Sequence, residues 1–447
     1  MFNLDERIAL AELKRTVGTF GAASVGIANI IGAGVFVLSG VAAGLAGPAV
    51  ILSFLTAGII AMLTALSASE LSSFITETGA SYAYTKRAFG RFWSFLVGWF
   101  KYFDYIVGAA AVSVGFSAYL TSLLGLTGMT PVILAAVGLP IILCVLNLIG
   151  IREATKATSA MVLIKIFTIV MLLMVGGFYL TQHFDVGHYT PFFATGFGGM
   201  LNGAAVIFFA FIGFNTVTMM SEEVKNPAKT IPRALMIAFV ITFVLYMGIA
   251  ILEIGVLDWR QAGGDAHPLA SIAQAVSNNR MFFEFVSFSA LIATGSVVLS
   301  SIIGGTRASF AMARDGLLPH HFNKISKRFG TPYFSIIVGS IIIVAFAGIF
   351  YNNIDTIASI VNFGSLFTYL FVNLSLLKLR KSEPNTERLF KVPLYPFVPI
   401  AGVVSCIGMM YYLADNAKLV SLIWGVIGLS LYLTLYRKKR SQNTKSD

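Results

Sequence analysis

The apolar stretch "GIANIIGAGVFVLSG" at residues 26–40 contains four glycines, and three of them, Gly26, Gly32 and Gly34, fall within its first nine residues. Glycine costs about 1 kcal/mol relative to alanine inside a helix, so the cluster at Gly32 and Gly34 predicts a helix break. A broken helix offers free N–H groups to a carboxylate and free carbonyls to an ammonium group. An α-amino acid carries both groups on one carbon. The alternative is that these glycines only allow close helix packing.

Ionisable side chains inside apolar stretches are expensive and therefore point to a function. Lys165 lies in "SAMVLIKIFTIVMLLMVGGFYL", where a buried lysine readily loses its proton, unless its long stem carries the ammonium group to the membrane surface. Asp104 could sense a cationic group or carry a proton, or it could pair with Lys101 on the same helix face. We expect Glu70 and Glu253, which lie close to the ends of their stretches, at the membrane interface.

The sequence lacks the short motifs of common enzyme classes. It has no G-x-x-x-x-G-K-[ST] loop, no H-E-x-x-H and no Ser/His/Asp set on facing structure, and no nucleotide-binding domain that could drive a pump. Its histidines are not spaced as metal ligands. We therefore expect no enzyme activity, no metal and no cofactor.

Composition places the chain in a membrane. Of 447 residues, 57% are hydrophobic and 11% are charged, whereas soluble domains carry about 25% charged residues. A helix needs about 20 apolar residues to cross the bilayer. Twelve stretches satisfy this requirement: 18–45, 48–75, 93–123, 130–150, 157–181, 199–221, 232–257, 283–312, 334–351, 355–378, 394–413 and 418–436. The N-terminal sequence lacks a cleavage-site pattern, so we predict a retained first helix.

The net charge of +11 is explained by how basic residues are distributed between the loops on the two sides of the membrane. Lysines and arginines cluster in alternate loops, whereas the other loops hold only Arg260, Arg280 and Lys418. This asymmetry predicts that both termini are cytoplasmic, and it argues against a nucleic-acid partner. We expect the chain to lie in the plasma membrane. Cys144 and Cys406 both lie in apolar stretches, so no disulfide framework is implied.

A second glycine interrupts the sixth stretch, where residues 196–218 read "GFGGMLNGAAVIFFAFIGFNTVT" with Gly213 inside the apolar run. Paired interrupted spans in the two halves indicate an inverted-repeat transporter and mark its binding site. We predict one membrane domain over residues 1–447. It comprises a first repeat over about 15–180, an inverted repeat over about 195–380 and two extra helices over about 392–436.

Four segments give the sequence a family resemblance: "GIANIIGAGVF", "GASYAYTKRAFG", "FFAFIGFNTVTMMSEEVKNPAKTIPRA" and "RASFAMARDGLLP". Together they resemble the amino acid–polyamine–organocation superfamily over residues 15 to about 335. The resemblance implies an all-α fold of about 12 membrane helices, with LeuT-like five-plus-five inverted repeats and discontinuous first and sixth helices. It also implies transport of L-amino acids by alternating access.

The resemblance carries a substrate site onto this sequence. In the first span, Ala33 and Gly34 would bind the carboxylate through their amides and Ile30 would accept the ammonium group. Phe209 would be an aromatic gate, with core packing as the alternative. The implied substrate-binding residues are Ile30, Gly32, Ala33, Gly34, Phe209, Ala210, Phe211, Ile212 and Gly213. Ala33 lacks the hydroxyl that some relatives have at that position.

The segment around Lys165 resembles the ApcT-like and cationic amino acid transporter branch. In that branch a lysine of the fifth helix occupies the place that Na⁺ takes in sodium-driven relatives. Here the implied partners of Lys165 are the Ala28 carbonyl and Ser296. The resemblance therefore implies proton symport without sodium. An amino acid or polyamine exchanger remains open, as do two different classes, a channel and a non-transporting amino acid sensor.

Overall fold

The computed structural model describes residues 17–76, 79–149, 154–220, 224–277, 279–326 and 328–443. These ranges are helical and contain no β-strand; an isolated bridge pairs Val17 with Val224. The helices of the first half are α1 Thr19–Ile30, α2 Ala33–Ala46, α3 Val50–Ser72, α4 Ser81–Phe89, α5 Arg91–Leu123, α6 Met129–Ile149, α7 Ala154–His183, α8 Gly196–Ile207 and α9 Asn215–Met219.

The second half of the described chain is also helical. They are α10 Pro227–Val256, α11 Trp259–Ala262, α12 Pro268–Val276, α13 Arg280–Arg314, α14 Tyr333–Ile349, α15 Ile354–Ser382, α16 Phe397–Tyr411 and α17 Asp415–Asn443. Short 3₁₀ segments cover Gly47–Ala49, Val186–Tyr189, Phe208–Phe214 and His320–Asn323. The all-α class that the resemblance implies is confirmed for the described residues.

Nine helical stretches of the described residues are long and apolar enough to cross a membrane. One of them, Gly34–Ser72, joins α2 to α3 through the turn at Gly47, whose φ of 61° suits a glycine. Three further apolar helices, α1, α14 and α16, are shorter. The chain is thus a multi-pass integral membrane protein, and the number of twelve crossings stays a prediction.

The helices divide into an enclosed core and a lipid-facing shell. In α5 and α15, 72% of the most apolar window is buried, against 11% in α6 and 17% in α17. The long helix α5 packs along α13 and α15, while α10 packs against α1 and α3. A helix that is apolar on all sides must be covered by other helices or by lipid. α5 and α15 therefore form the protein core, and α6 and α17 face the bilayer.

A tryptophan pair docks the last helix. Trp99 of α5 stacks on Trp424 of α17 with ring centroids 4.3 Å apart. Each indole N–H donates to the other residue's carbonyl, at 2.9 and 3.2 Å. A Cβ atom at Gly428 would lie 2.4 Å from the Trp99 ring, so this contact requires a glycine. The pair buries two large rings and satisfies both donors, which fixes α17 against α5.

Candidate substrate site

The first predicted span is interrupted at two residues. Helix α1 ends at Ile30 and α2 begins at Ala33, and Ile31 between them has an extended conformation with φ −75° and ψ 92°. The amides in the first turn of α2, including those of Ala33 and Gly34, therefore lack the helical partners that a continuous helix would provide. The same interruption frees carbonyls at the end of α1.

Two of the freed carbonyls receive hydrogen bonds from distant helices. The Tyr246 hydroxyl of α10 donates to the Ile30 carbonyl at 2.7 Å, and the Lys165 Nζ atom of α7 donates to the Ala28 carbonyl at 2.9 Å. Both side chains are buried. Because a buried carbonyl without a partner is costly, these two side chains stabilise the interrupted backbone.

The second interruption has a different geometry from the first. Residues Phe208–Phe214 form a 3₁₀ helix between α8 and α9, so the stretch from Ala210 to Gly213, expected to be unwound, is tightened instead. A 3₁₀ run of this length is uncommon and often marks a hinge. The Tyr369 hydroxyl donates to the Ile212 carbonyl at 3.0 Å and accepts from the Asn215 amide at 2.9 Å.

Asn362 of α15 supports the end of α8. Its amide donates to the carbonyls of Ala205, at 2.6 Å, and Val206, at 3.1 Å. Side chains of α15 and α10 thus cap both interruptions. Tyrosine and asparagine can do this because each places a donor at the end of a side chain that packs in the core.

The two interruptions touch each other at glycines. A Cβ atom at Gly34 would lie 2.2 Å from the Ala210 Cα atom, and one at Gly213 would lie 2.3 Å from the Asn29 carbonyl carbon. The structure therefore brings Ile30 and Gly34 of the first span together with Ala210 and Gly213 of the sixth. Close packing alone would also require these glycines, so the contact by itself does not assign a ligand.

The aromatic residues of the second interruption occupy two environments. Phe211 is fully buried, and its ring packs near those of Phe239, Phe243 and Tyr246. Phe209, the predicted gate, is half-buried and packs on the edge of the core. Phe209 therefore has more exposed surface than Phe211.

Lys165 and Ser296, expected to act together, make separate contacts. Lys165 is 1% exposed, and within the described part of the chain it has no carboxylate ion-pair partner. The Ser296 hydroxyl donates to the Ala293 carbonyl of its own helix at 2.8 Å. A hydroxyl that donates still has lone pairs to accept a hydrogen bond, so Ser296 keeps this capacity.

Three acids near or within the spans are buried by the protein. Asp104 forms a buried ion pair with Lys101 of the same helix. Glu70 is fully buried and accepts two bonds from the Arg380 guanidinium group, at 2.7 and 2.6 Å. Glu253 is also fully buried. Both acids lie near the ends of their helices, and neighbouring helices cover them there, so their position at the membrane interface stays a prediction.

Two of the sequence segments that carried the resemblance meet on the side with the basic loops, called the inner side here. Tyr82 of α4 donates to the Asp315 carboxylate at 2.6 Å, and Lys86 does so at 2.9 Å. Partial burial opposes ionisation, but these hydrogen bonds hold the pKa of Asp315 below its usual value. The contact ties the loop after α13 to the helix that precedes α5.

An outer cavity lies on the opposite side. It has a volume of about 920 Å³, and its wall includes Val41 and Gly44 of α2 together with Arg260, Asp265 and His267. The Asp265 carboxylate lies 2.9 Å from the His267 Nδ1 atom. This contact raises the pKa of His267 although burial opposes it, and it helps to lower the pKa of Asp265 against the effect of burial.

An all-α membrane chain in which two interrupted spans meet at their interruptions has the architecture of a transport protein. The family model "Amino acid permease" matches residues 17–433, so the chain belongs to the amino acid permease family. Its family membership and its relatives support amino acid transport, and these relatives are transporters rather than enzymes.

Three curated relatives extend over most of the chain. The branched-chain amino acid permease BcaP of Bacillus subtilis is 32% identical, over 96% of this chain and 94% of its own length. The methylthioribose transporter of the same organism is 34% identical, over 96% and 95%. The cationic amino acid transporter 4, vacuolar, of Arabidopsis thaliana is 32% identical, over 84% of this chain and 64% of that protein.

Tyr246, Tyr369 and Asn362 are the polar residues of the site that the sequence analysis missed. Each lies in a long apolar helix without a motif. The one sign of them in the sequence is a polar residue in the interior of an apolar span, because a buried hydroxyl or amide must find a hydrogen-bond partner. Their partners lie more than 150 residues away in the chain, so the sequence alone does not identify them.

Proposed function

We propose that this protein is a proton-coupled, sodium-independent carrier that takes up neutral L-amino acids by alternating access across the plasma membrane. The observation that carries the proposal is the hydrogen bond from the buried Lys165 Nζ atom to the Ala28 carbonyl beside the first interruption. A titratable group in contact with the substrate-binding backbone can couple proton binding to substrate binding.

The proposed substrate site uses backbone groups for the parts that all amino acids share. The amides of Ala33 and Gly34 bind the carboxylate, and the carbonyls of Ile30 and Ile212 bind the ammonium group. Free amides at a helix start favour an anion, and free carbonyls at a helix end favour a cation. Since tyrosine hydroxyls already bond both carbonyls, the ammonium group uses their second lone pairs or displaces the hydroxyls.

In the proposed cycle Lys165 changes its charge state. Burial disfavours an ammonium group that has no anionic partner, so Lys165 can also exist as the neutral amine. Proton binding turns the amine into an ammonium group with an additional N–H donor. In this proposal that donor reaches the free lone pairs of Ser296 and holds α1 against α13, which favours closure around the substrate.

The coupling test is uptake in proteoliposomes under an imposed proton gradient, with and without sodium. The parent protein should concentrate amino acid without sodium. Lys165→Ala should lose the pH dependence of uptake, whereas Lys378→Ala, which removes an exposed lysine from the inner end of α15, should retain it. The proposal is contradicted if the parent requires sodium or if Lys165→Ala keeps the parent's pH profile.

The substrate test is a thermal-shift screen of purified protein against the twenty amino acids, common polyamines and methylthioribose. A ligand that binds only the folded state raises the melting temperature. We expect neutral L-amino acids with small or medium side chains to give the largest shifts. The named relatives transport different compounds, so a shift with methylthioribose or polyamines alone rejects the amino acid assignment.

A further inference from the structure

Glu253 is a buried acid that the proposed coupling through Lys165 does not use. It lies on α10, seven residues after Tyr246, which donates to the Ile30 carbonyl. Residues seven positions apart share a face of a helix, so Glu253 is on the face of α10 that supports the first interruption. Its side chain has no exposed surface.

The Glu253 carboxyl group has no basic partner among the described residues. In the part of the chain that the structure describes, neither oxygen accepts a hydrogen bond and no basic side chain forms an ion pair with it. The neutral Ser39 hydroxyl of α2 lies beside it and offsets only part of the cost of burying a charge there. A buried carboxylate without a cationic partner is very costly, so the observed packing favours the neutral acid.

The surroundings of Glu253 connect it to the outer cavity. Asp265 acts on it electrostatically and also lines the cavity, in contact with His267. Tyr119 of α5 interacts electrostatically with both acids, and its hydroxyl donates to the Phe36 carbonyl of α2. Glu253 thus lies behind the cavity wall.

The segment Val186–Tyr189 closes the other side of α10. His188 Nδ1 lies 3.0 Å from the Gly255 carbonyl, and the Tyr189 hydroxyl donates to the Ile251 carbonyl at 3.1 Å. Both side chains are directed to the backbone of α10. Neither is paired with the Glu253 carboxyl group, so they do not provide the missing positive charge.

Helix α2 separates Glu253 from the cavity. Its outer half packs closely on the segment after α11, where a Cβ atom at Gly44 would lie 2.3 Å from the Gly263 Cα atom and one at Gly40 would lie 2.8 Å from the Ala262 carbonyl oxygen. Val41 and Gly44 of the same helix line the cavity. Because the interruption separates α2 from α1, α2 can move without α1.

We propose that Glu253 is a proton-dependent latch for the outer gate of this carrier. Closure of α2 on α10 seals the Glu253 carboxyl group, which takes up one proton from the outer solution. When α2 moves away, water reaches the carboxyl group and the proton returns to the same solution. The latch rests on the proposed alternating-access function and adds an outer pH dependence that is separate from Lys165.

The test measures closure directly, in nanodiscs and without substrate. Spin labels at Val41→Cys on α2 and Val256→Cys at the outer end of α10 report how closely these two helices approach each other, with Cys144 and Cys406 replaced by serine. In the parent, the short-distance population should increase on acidification, and the ratio of closed to open should change by up to about tenfold per pH unit for one proton. In Glu253→Gln, whose side chain is permanently neutral, the short-distance population should dominate at every pH.

Two controls isolate the latch. Glu284→Gln removes a half-exposed carboxylate near the outer end of α13 and should keep the parent's pH response. His267→Gln removes the titratable imidazole from the cavity wall and should also keep a response. A Glu253→Gln variant whose distances still respond to pH overturns the latch, and so does a parent whose distances do not respond.

A second measurement uses the parent alone, in case Glu253→Gln does not fold. Infrared spectra should show a carboxylic-acid C=O band that persists at a pH where exposed carboxyl groups are ionised, and that shifts when glutamate is isotopically labelled. Absence of such a band overturns the latch. Loss of proton-driven uptake in the parent would instead reject the proposed coupling, while the distance measurement would still decide on the latch.

Discussion

The contact between the two interruptions makes a sharp prediction for Gly34→Ala. The added Cβ atom would lie 2.2 Å from the Ala210 Cα atom and 2.8 Å from its backbone nitrogen. Ordinary contacts begin at 3.4 Å, so the two segments must separate by about 1.2 Å. Both obstructing atoms belong to the backbone, so no side-chain rotation relieves the overlap.

The expected cost follows from the size of this displacement. Overpacking of a well-packed core costs about 1–3 kcal/mol, and a shift of about 1 Å at a binding site can reduce activity about 100-fold. We expect Gly34→Ala to have a lower melting temperature and to lose substrate-induced stabilisation and uptake. Bulkier Gly34→Leu should insert normally and bind no substrate.

The matched control separates packing from binding. In the same span, a Cβ atom at Gly26 would lie 2.6 Å from the Val217 side chain, away from the interruption. Gly26→Ala should lower the melting temperature but keep the substrate affinity. For Gly177, nothing lies within 4 Å of an added Cβ atom, so Gly177→Ala should change neither the melting temperature nor the substrate affinity. If Gly34→Ala binds substrate as the parent does, or loses affinity only as much as Gly26→Ala, the interruption is a packing feature.

Two further predictions concern single hydrogen bonds. Tyr246→Phe leaves the Ile30 carbonyl without its donor and should destabilise the protein by about 1–3 kcal/mol in thermal or denaturant unfolding. The control Tyr411→Phe, at an exposed tyrosine, should leave the stability unchanged. Equal stabilities of the two variants would refute the capping role of Tyr246. For His267→Gln, the stability deficit should be greatest below about pH 6.5 and vanish as pH rises through the raised pKa of His267, because the charged imidazole binds Asp265. A pH-independent deficit would contradict it.

The sequence predicted the features that depend on local chemistry. Two glycines in an apolar run indicated the interruption between Ile30 and Ala33, and composition and alternation of charge indicated a membrane-embedded helical chain. The 3₁₀ geometry of the sixth span was not predicted, because Gly213 indicates a weak point in a helix without specifying the backbone that replaces it.

Features that depend on distant contacts could not be predicted. The position of Glu70 near a helix end does not reveal its partners, because Arg380 and the Val392 amide enclose it from a segment more than 300 residues later. Similarly, nothing in the local sequence pairs Tyr369 with the Ile212 carbonyl. Such partners are set by how helices pack, and packing depends on the whole chain.

The stacked tryptophans determine what intrinsic fluorescence can measure in this protein. The chain has four tryptophans, and two of them, Trp99 and Trp424, form the pair that docks the last helix. Trp259 lines the outer cavity, and Trp93 packs against Phe371. The emission of the pair therefore reports the attachment of α17, and Trp259 reports events at the cavity mouth. A ligand at the interruption would be detected only through its effect on the outer wall.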